Sequence, residues 1–199
     1  MISIIDYRAG NTASVSNALK RLGADYQITS DIQKLEASSG IIFPGVGHAQ
    51  AAMQALKTTG LDVWLRETPL PVLGICLGMQ LLFEHSVEGD TDCLGLFPGK
   101  LLRFDDRDAK VPHMGWNTFV EPFESEHPLL EGIGQGDYFY YVHSYYAPLC
   151  DQTIGACSYA GVTFTSVAAE GNKMGVQFHP EKSGTAGARL LLNFINLTR

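Results

Sequence analysis

The stretch that most limits what this chain can fold into is Gly74-Ile75-Cys76-Leu77-Gly78-Met79-Gln80, preceded by Pro71-Val72-Leu73 and followed by Leu81-Leu82-Phe83. It reads as a short apolar strand that runs into a helix through a turn with a cysteine at its apex. Glycines two residues before and two residues after that cysteine suit such a turn, because a side chain at either place would collide where strand and helix cross closely. This is a nucleophile elbow with a thiol in place of a hydroxyl. The cysteine stands at the N-terminal end of the expected helix, where unpaired N–H groups and the positive end of the helix dipole favour a thiolate. The first expectation is therefore an activated sulfur.

An elbow of this kind needs a sheet around it, and the flanking sequence supplies one. Residues 2–5 are an apolar β run ending at Asp6. Asn11-Thr12 then open an amphipathic segment whose Val15, Ala18, Leu19 and Leu22 share one helical face, closed by Gly23. A second short strand is expected at 25–28, followed by a polar turn. Ile41-Ile42-Phe43 is apolar without alternation, which suits a strand covered on both faces. Pro44-Gly45-Val46-Gly47 follows it directly. Helices are expected at 49–56 and 62–66, and the buried strand of the elbow at 71–75. Such alternation predicts an α/β fold with a doubly wound, mostly parallel central sheet flanked by helices, in which ligands bind past the carboxyl ends of the strands.

The texture changes after about residue 88, where a polar loop at 88–92 gives way to short β-like runs at 100–104, 118–120, 139–142, 153–158, 163–168 and 173–178. Gly171-Asn172 reads as a hairpin turn between the last two. These runs are expected as additional antiparallel strands in the C-terminal half that extend or flank the same sheet. No Pro/Gly/Ser-rich linker separates the halves, so residues 1–199 are expected to form a single domain. A closing helix is expected at 185–198, with Ala188, Leu191, Leu192 and Ile195 as its apolar stripe.

Composition narrows the partners. A net charge of −7 argues against nucleic acid, whose binding needs clustered Lys and Arg to neutralise phosphates. No apolar run approaches the ~20 residues of a membrane span, and Met1-Ile2-Ser3-Ile4-Ile5-Asp6 reads as a first strand, not as a signal peptide. A cytoplasmic protein without a membrane segment is expected. Cys76, Cys93, Cys150 and Cys157 form no C-x-x-C pair, so neither a metal site nor a disulfide framework is suggested.

The second constellation is Gln177-Phe178-His179-Pro180-Glu181-Lys182-Ser183. Proline keeps the residue before it extended, and residues two apart in an extended segment project to the same side. His179 and Glu181 should therefore point together, the carboxylate fixing the ring tautomer and leaving the other nitrogen for the thiol. Cys76, His179 and Glu181 make a nucleophilic triad. Acyl transfer also needs donors for the oxyanion; the elbow offers the N–H of Leu77, and the adjacent loop offers that of Val46 or Gly47. Each motif alone has a plainer reading, as a tight crossing, a surface turn or a loop. Three together, each at the end of a buried strand, are hard to obtain by accident.

Gly-Ile-Cys-Leu-Gly-Met-Gln followed by His-Pro-Glu resembles the class I, or triad-type, glutamine amidotransferases, whose cysteine attacks the side-chain amide of glutamine and releases ammonia. Further features are similar to one branch of that family, the glutaminase subunits of imidazole glycerol phosphate synthases. They are Asp6-Tyr7-Arg8-Ala9-Gly10-Asn11, Pro44-Gly45-Val46-Gly47-His48, Pro112-His113-Met114-Gly115-Trp116-Asn117, His179-Pro180-Glu181-Lys182-Ser183 and the methionine at position 79. The resemblance runs from residue 2 to the terminal helix. It implies a heterodimer with a cyclase subunit, a (β/α)₈ barrel that takes up the ammonia to make imidazole glycerol phosphate in histidine biosynthesis. That barrel alone needs ~250 residues, more than this chain has. The resemblance places the substrate glutamine near Gly45, Gly47, Gln80, His143, Ser144 and Tyr145. It turns Asn11, His113, Met114, Trp116, Asn117, Tyr138 and Lys182 toward the cyclase, and it implies no cofactor or metal. Taken singly, Gln80 also reads as the polar face of a helix, Trp116 as core and Lys182 as a solvated charge. The same triad would also serve a free-standing cysteine hydrolase of γ-glutamyl compounds, or the glutaminase subunit of another amidotransferase.

Overall fold

In the computed structural model, which describes residues 1–7, 10–107 and 109–199, strand β1 (Ile2–Ile5) leads toward helix α1 (Thr12–Arg21). Arg8 and Ala9 of the opening motif lie outside the described residues. Asn11 caps α1, its side chain accepting the Ser14 N–H at 3.3 Å, and Val15, Ala18 and Leu19 are buried as their spacing predicts. Next come β2 (Tyr26–Thr29), a short helix α2 (Ile32–Glu36) where a polar turn was expected, and β3 (Gly40–Gly45), buried along its whole length. Helices α3 (Ala49–Thr59) and α4 (Leu61–Glu67) precede β4 (Val72–Cys76).

The helix after the cysteine is short. It is a single turn, α5 (Leu77–Gln80), and Phe83 already begins β5 (Phe83–Ser86). The apolar run Leu81-Leu82-Phe83 is core of another kind: these residues are buried as the chain turns away into a small sheet formed by β5, β6 (Thr91–Asp92), β7 (Phe97–Arg103) and, later, β11 (Tyr145–Tyr146). Strand β8 (His113–Asn117) pairs with β10 (Phe139–His143) in a two-stranded ribbon, Tyr140 level with Trp116. The remaining elements are β9 (Val120–Phe123), β12 (Thr153–Tyr159), β13 (Val162–Glu170), β14 (Lys173–Val176) and helix α6 (Gly184–Leu197).

The central sheet has eight strands in the order β2-β1-β3-β4-β14-β13-β12-β9. Strands β2 through β14 in that order are parallel, and the β14-β13-β12-β9 side is antiparallel. The α/β sheet is thus mostly parallel where the site lies, with the C-terminal strands added to its edge as expected. Alternate residues of the buried strands feed two cores. Ile42 and Leu73 pack with α1 and α6 through Leu19, Leu190 and Phe194, while Ile41, Phe43 and Val72 pack with α3 and α4 through Leu56 and Leu65. On α6 the buried face is Gly187, Leu190, Leu191, Phe194 and Ile195, rotated from the predicted stripe so that Ala188 and Leu192 are only half-buried. The helix turns that way because Gly187 lies against the Pro180 carbonyl, where any Cβ would collide.

The elbow is held by backbone packed on backbone. A Cβ on Gly78 would run into the carbonyl oxygen of Phe43, and one on Gly74 would stand 2.7 Å from the Met79 nitrogen. Neither contact can relax by turning a side chain. Gly78→Ala is therefore expected to destabilise the protein by about 3 kcal/mol, the upper end for overpacking a rigid site. Chemical denaturation measures this, and an unchanged midpoint would show that β3 and α5 are free to part.

Candidate active site

Strands β4 and β14 lie side by side and parallel, with Ile75 level with Val176. The residues just beyond this rung are Cys76 on one strand and Gln177-Phe178-His179 on the other, so two motifs a hundred residues apart end together at the carboxyl edge of the sheet. Cys76 has φ 54° and ψ −110°, the left-handed side of backbone space that a cysteine avoids. Such a residue carries about 1–3 kcal/mol of strain, tolerated because the glycine contacts around it fix the turn. Because α5 is one turn, few peptide dipoles add up behind the sulfur. What the elbow supplies is local: the N–H of Leu77, first in its helix, has no acceptor within that helix.

His179 Nδ1 donates to Glu181 Oε1 at 2.9 Å, and both side chains are buried. The spacing-by-two argument holds, although the pair sits at the start of a 3-10 turn over Pro180–Lys182 instead of in a strand. With Nδ1 engaged, His179 Nε2 is the nitrogen left for the thiol, and it has no other partner. Cys76 acts on this nitrogen without meeting full hydrogen-bond geometry. Burial opposes charge on the imidazole, but hydrogen bonding to Cys76 and Glu181 and the charges of both outweigh it, raising His179 from 6.5 to about 10. The ring therefore keeps its proton through the neutral range. Sγ of Cys76 also lies 3.8 Å from the Val142 carbonyl and 3.8 Å from Gln177 Nε2.

A cavity of about 330 Å³ opens over the sulfur. Cys76, His179, Leu77, Val46, Gly47, Gln80, His143, Ser144 and Tyr145 all line it, so most of the residues expected around the substrate are brought together. Gly45 is not among them. It is buried under the elbow, where a Cβ would stand 2.5 Å from the Gly78 nitrogen and 2.8 Å from the Tyr7 hydroxyl, so its glycine serves packing. Gly47 has φ +100°, a conformation that favours glycine and lets the loop after β3 turn back toward the cavity. Gln80 is not a solvated helix face: it is buried, and its Nε2 donates to the Tyr145 carbonyl and to Gln177 Oε1, both at 3.0 Å.

Three lining residues escaped the sequence reading: Val142, Pro112 and Glu88. Glu88 lies in the polar loop before β6 and accepts the Ala49 N–H at 2.7 Å, tying that loop to the first turn of α3. An isolated acid in a polar loop carries no periodic or spacing signal. Gln177 was quoted with the histidine motif but given no role, and it lies against the sulfur.

The residues expected to face a partner divide. Met114 (62 %), Trp116 (55 %) and Tyr138 (61 %) are strongly exposed large side chains on or beside the β8–β10 ribbon. Trp116 meets Tyr140 edge-on at 5.9 Å, and the exposed Lys182 sets Nζ 5.9 Å from the Tyr140 ring. Asn11 is half-buried in its capping role. His113 does not face outward: it is buried, its ring stacked between Tyr159 at 4.0 Å and Tyr141 at 4.9 Å. Asn117 is half-buried, with Nδ2 donating to the Ser158 carbonyl at 3.0 Å. Alternation along β8 explains the split, since His113 and Asn117 fall on the face opposite Met114 and Trp116.

Among the described residues no cluster of His, Cys, Asp or Glu has the arrangement of a metal site, and no helix is long and apolar enough to cross a membrane.

The sequence profile described as "Glutamine amidotransferase class-I" matches residues 3–197. A curated relative from Bacteroides fragilis, named imidazole glycerol phosphate synthase subunit HisH, is 46 % identical over 198 residues, covering 98 % of this chain and 99 % of that protein. A protein of the same name from Xanthomonas euvesicatoria is also 46 % identical, covering 99 % of this chain and 98 % of its own length. Among solved structures, a glutamine amidotransferase superposes with a TM-score of 0.73 at 20 % identity, covering 99 % of this chain and 98 % of that one. The structure titled PurLQS from Thermotoga maritima gives 0.67 at 19 % identity, covering 100 % and 98 %. At such identities the two structures speak for the fold alone. The profile match and the curated relatives go further, and on them the chain belongs to the class-I glutamine amidotransferase family.

Proposed function

We propose that this chain is the glutaminase subunit of an imidazole glycerol phosphate synthase, hydrolysing glutamine and passing the ammonia to a cyclase partner with a (β/α)₈ barrel in histidine biosynthesis, in the cytoplasm. The observation that carries the chemistry is the sulfur of Cys76 and the Glu181-oriented ring of His179 at the floor of one cavity. The thiol sulfur adds to the side-chain carbonyl carbon of glutamine, and the oxygen takes the negative charge, held by the N–H of Leu77 and a second donor from the Val46–Gly47 peptide. His179 carries the thiol proton and delivers it to the departing nitrogen, which leaves as ammonia with the C–N bond broken and a thioester formed. The same ring then takes a proton from water as the hydroxyl adds to the thioester, and glutamate leaves with the thiol restored. Glu88 is the one acidic side chain among the described lining residues, and its carboxylate suits the α-ammonium of glutamine.

The partner reading rests on the exposed apolar face. Trp116, Met114 and Tyr138 stand on or beside the ribbon that contributes Val142 and His143 to the cavity, and Lys182 follows Glu181 directly, so whatever covers this face adjoins the site of ammonia release. The relatives' name marks them as subunits. Trp116→Ala is expected to weaken partner binding by about 30-fold, the loss of one central aromatic anchor, with the chain's melting temperature little changed. Titration of the variant against the cyclase measures it; wild-type affinity would place the interface elsewhere.

Glutamine turnover with and without the cyclase and its ligand tests the whole reading. The isolated chain is expected to be nearly idle, since a Val46–Gly47 peptide that points its N–H away removes one oxyanion donor, worth about 10²–10³ in rate. Full activity without the partner would favour the free-standing hydrolase.

A further inference from the structure

The amide of Gln177 points its N–H₂ at the sulfur because a chain of buried hydrogen bonds leaves it no other orientation, and each link can be assigned from donor and acceptor chemistry. The Tyr145 carbonyl can only accept. His143 Nδ1, 2.8 Å away, must therefore carry a proton. Burial lowers His143 to about 3 and His113 to about 4, so both rings are neutral and each has one N–H and one lone pair. His143 Nε2 is then the acceptor, and His113 Nδ1 donates to it at 3.0 Å. That leaves His113 Nε2 to accept, and Asn117 Nδ2 supplies the donor at 3.4 Å.

On its other side the same carbonyl fixes a glutamine pair. It also accepts Gln80 Nε2 at 3.0 Å, which settles which end of that amide is nitrogen. Gln80 Nε2 donates in addition to Gln177 Oε1 at 3.0 Å. With its oxygen so engaged, Gln177 turns its Nε2 to Sγ of Cys76, 3.8 Å away. His113, His143, Gln80 and Gln177 are all buried, while the Tyr145 carbonyl between them belongs to a half-buried residue on the cavity wall.

We propose that Gln177 is a positioning residue for the nucleophile, donating a hydrogen bond to the Cys76 sulfur, and that its amide is oriented by Gln80 on the Tyr145 carbonyl, a carbonyl held in place by the hydrogen-bonded His143–His113 pair by strand β8. Strand β8 carries Met114 and Trp116 on its outer face, so the first donor of the chain belongs to the strand on which the proposed partner rests. The inference relies on the glutaminase reading for its consequence in turnover, but not for the state of the sulfur.

Two readouts separate the two. His113→Phe keeps a flat ring between Tyr141 and Tyr159 and removes both hydrogen bonds; His113→Asn restores a donor near the Nδ1 position. In the purified chain, the rate of Cys76 alkylation by iodoacetamide, read by peptide mass spectrometry, is expected to change about tenfold in His113→Phe and to return toward wild type in His113→Asn, tenfold being what one hydrogen bond of ordinary net strength carries. In the complex with the cyclase, kcat for glutamine is expected to fall by about the same factor. Gln177→Met, which keeps volume and removes the last donor, should reproduce the alkylation change if His113→Phe fails to fold. Wild-type alkylation in both variants would overturn the proposal, as would a His113→Asn variant no better than phenylalanine. Absence of any glutamine turnover by the wild-type complex would sink the glutaminase reading and leave the alkylation result to decide this one.

Discussion

Cys76→Ala is expected to reduce glutamine-dependent synthesis by the complex by about 10⁴-fold or more, the scale on which removal of a covalent nucleophile acts. Synthesis supplied with ammonia in place of glutamine should continue at the wild-type rate, because the variant leaves the partner's chemistry untouched. The substitution is a mild one for the fold. Alanine at φ 54° meets the same backbone strain as cysteine, and the side chain lost is small, though buried. Steady-state rates with each nitrogen source measure the effect, and glutamine use that survives at more than a few per cent would remove the sulfur from the mechanism.

Glu181→Gln should cost about 10³ in kcat and, more tellingly, should move the alkaline limb of the pH profile. In the native site burial works against a charged His179, and Cys76 and Glu181 overcome it to raise the ring to about 10. A neutral amide at position 181 gives up the charge and weakens the hydrogen bond, so burial regains ground and the proton leaves at lower pH. The sign follows for stability as well. Between 6.5 and about 10 the folded state holds a proton that the unfolded state has released, so His179 stabilises the fold fully below about 6.5 and loses that contribution as pH rises through about 10. The variant should lose it earlier. Rate–pH profiles and melting temperatures taken over this range read both effects; an unmoved alkaline limb would show that Glu181 only holds the ring in place.

The arrangement of Cys76, His179 and Glu181 was legible in the sequence because it is local. Gly74, Cys76 and Gly78 define one turn by their spacing, and the proline between His179 and Glu181 sets both side chains to one side; neither reading needs knowledge of what lies across the sheet. Glu88 needed it, since its place in the cavity comes from a loop folded against the start of α3. Register was harder than element type. The last helix is apolar on more than one side, so its buried face was decided by the close approach of Gly187 to Pro180, a contact between chain segments that periodicity does not contain. The length of the helix after Cys76 was not legible, because the apolar run Leu81-Leu82 looks alike in a helix and in a buried turn into a strand. His113 was expected outward with its motif neighbours, yet two tyrosines from β10 and β12 enclose it, and only the packing of the β8–β10 ribbon against β12 reveals that they meet there.

The order of strands in the sheet also governs when the site comes into being. Strand β14 lies fifth of eight across the sheet but is the last strand in the chain, and it must insert between β4 and β13. Until it does, the strand bearing Cys76 is an open edge with neither base nor orienting carboxylate. Pairing across about a hundred residues is slow to find, and an unfilled edge in the middle of a sheet is prone to capture other chains. During synthesis on the ribosome the thiol is thus made long before its histidine, and translation has to run past Glu181 before glutamine can be cleaved.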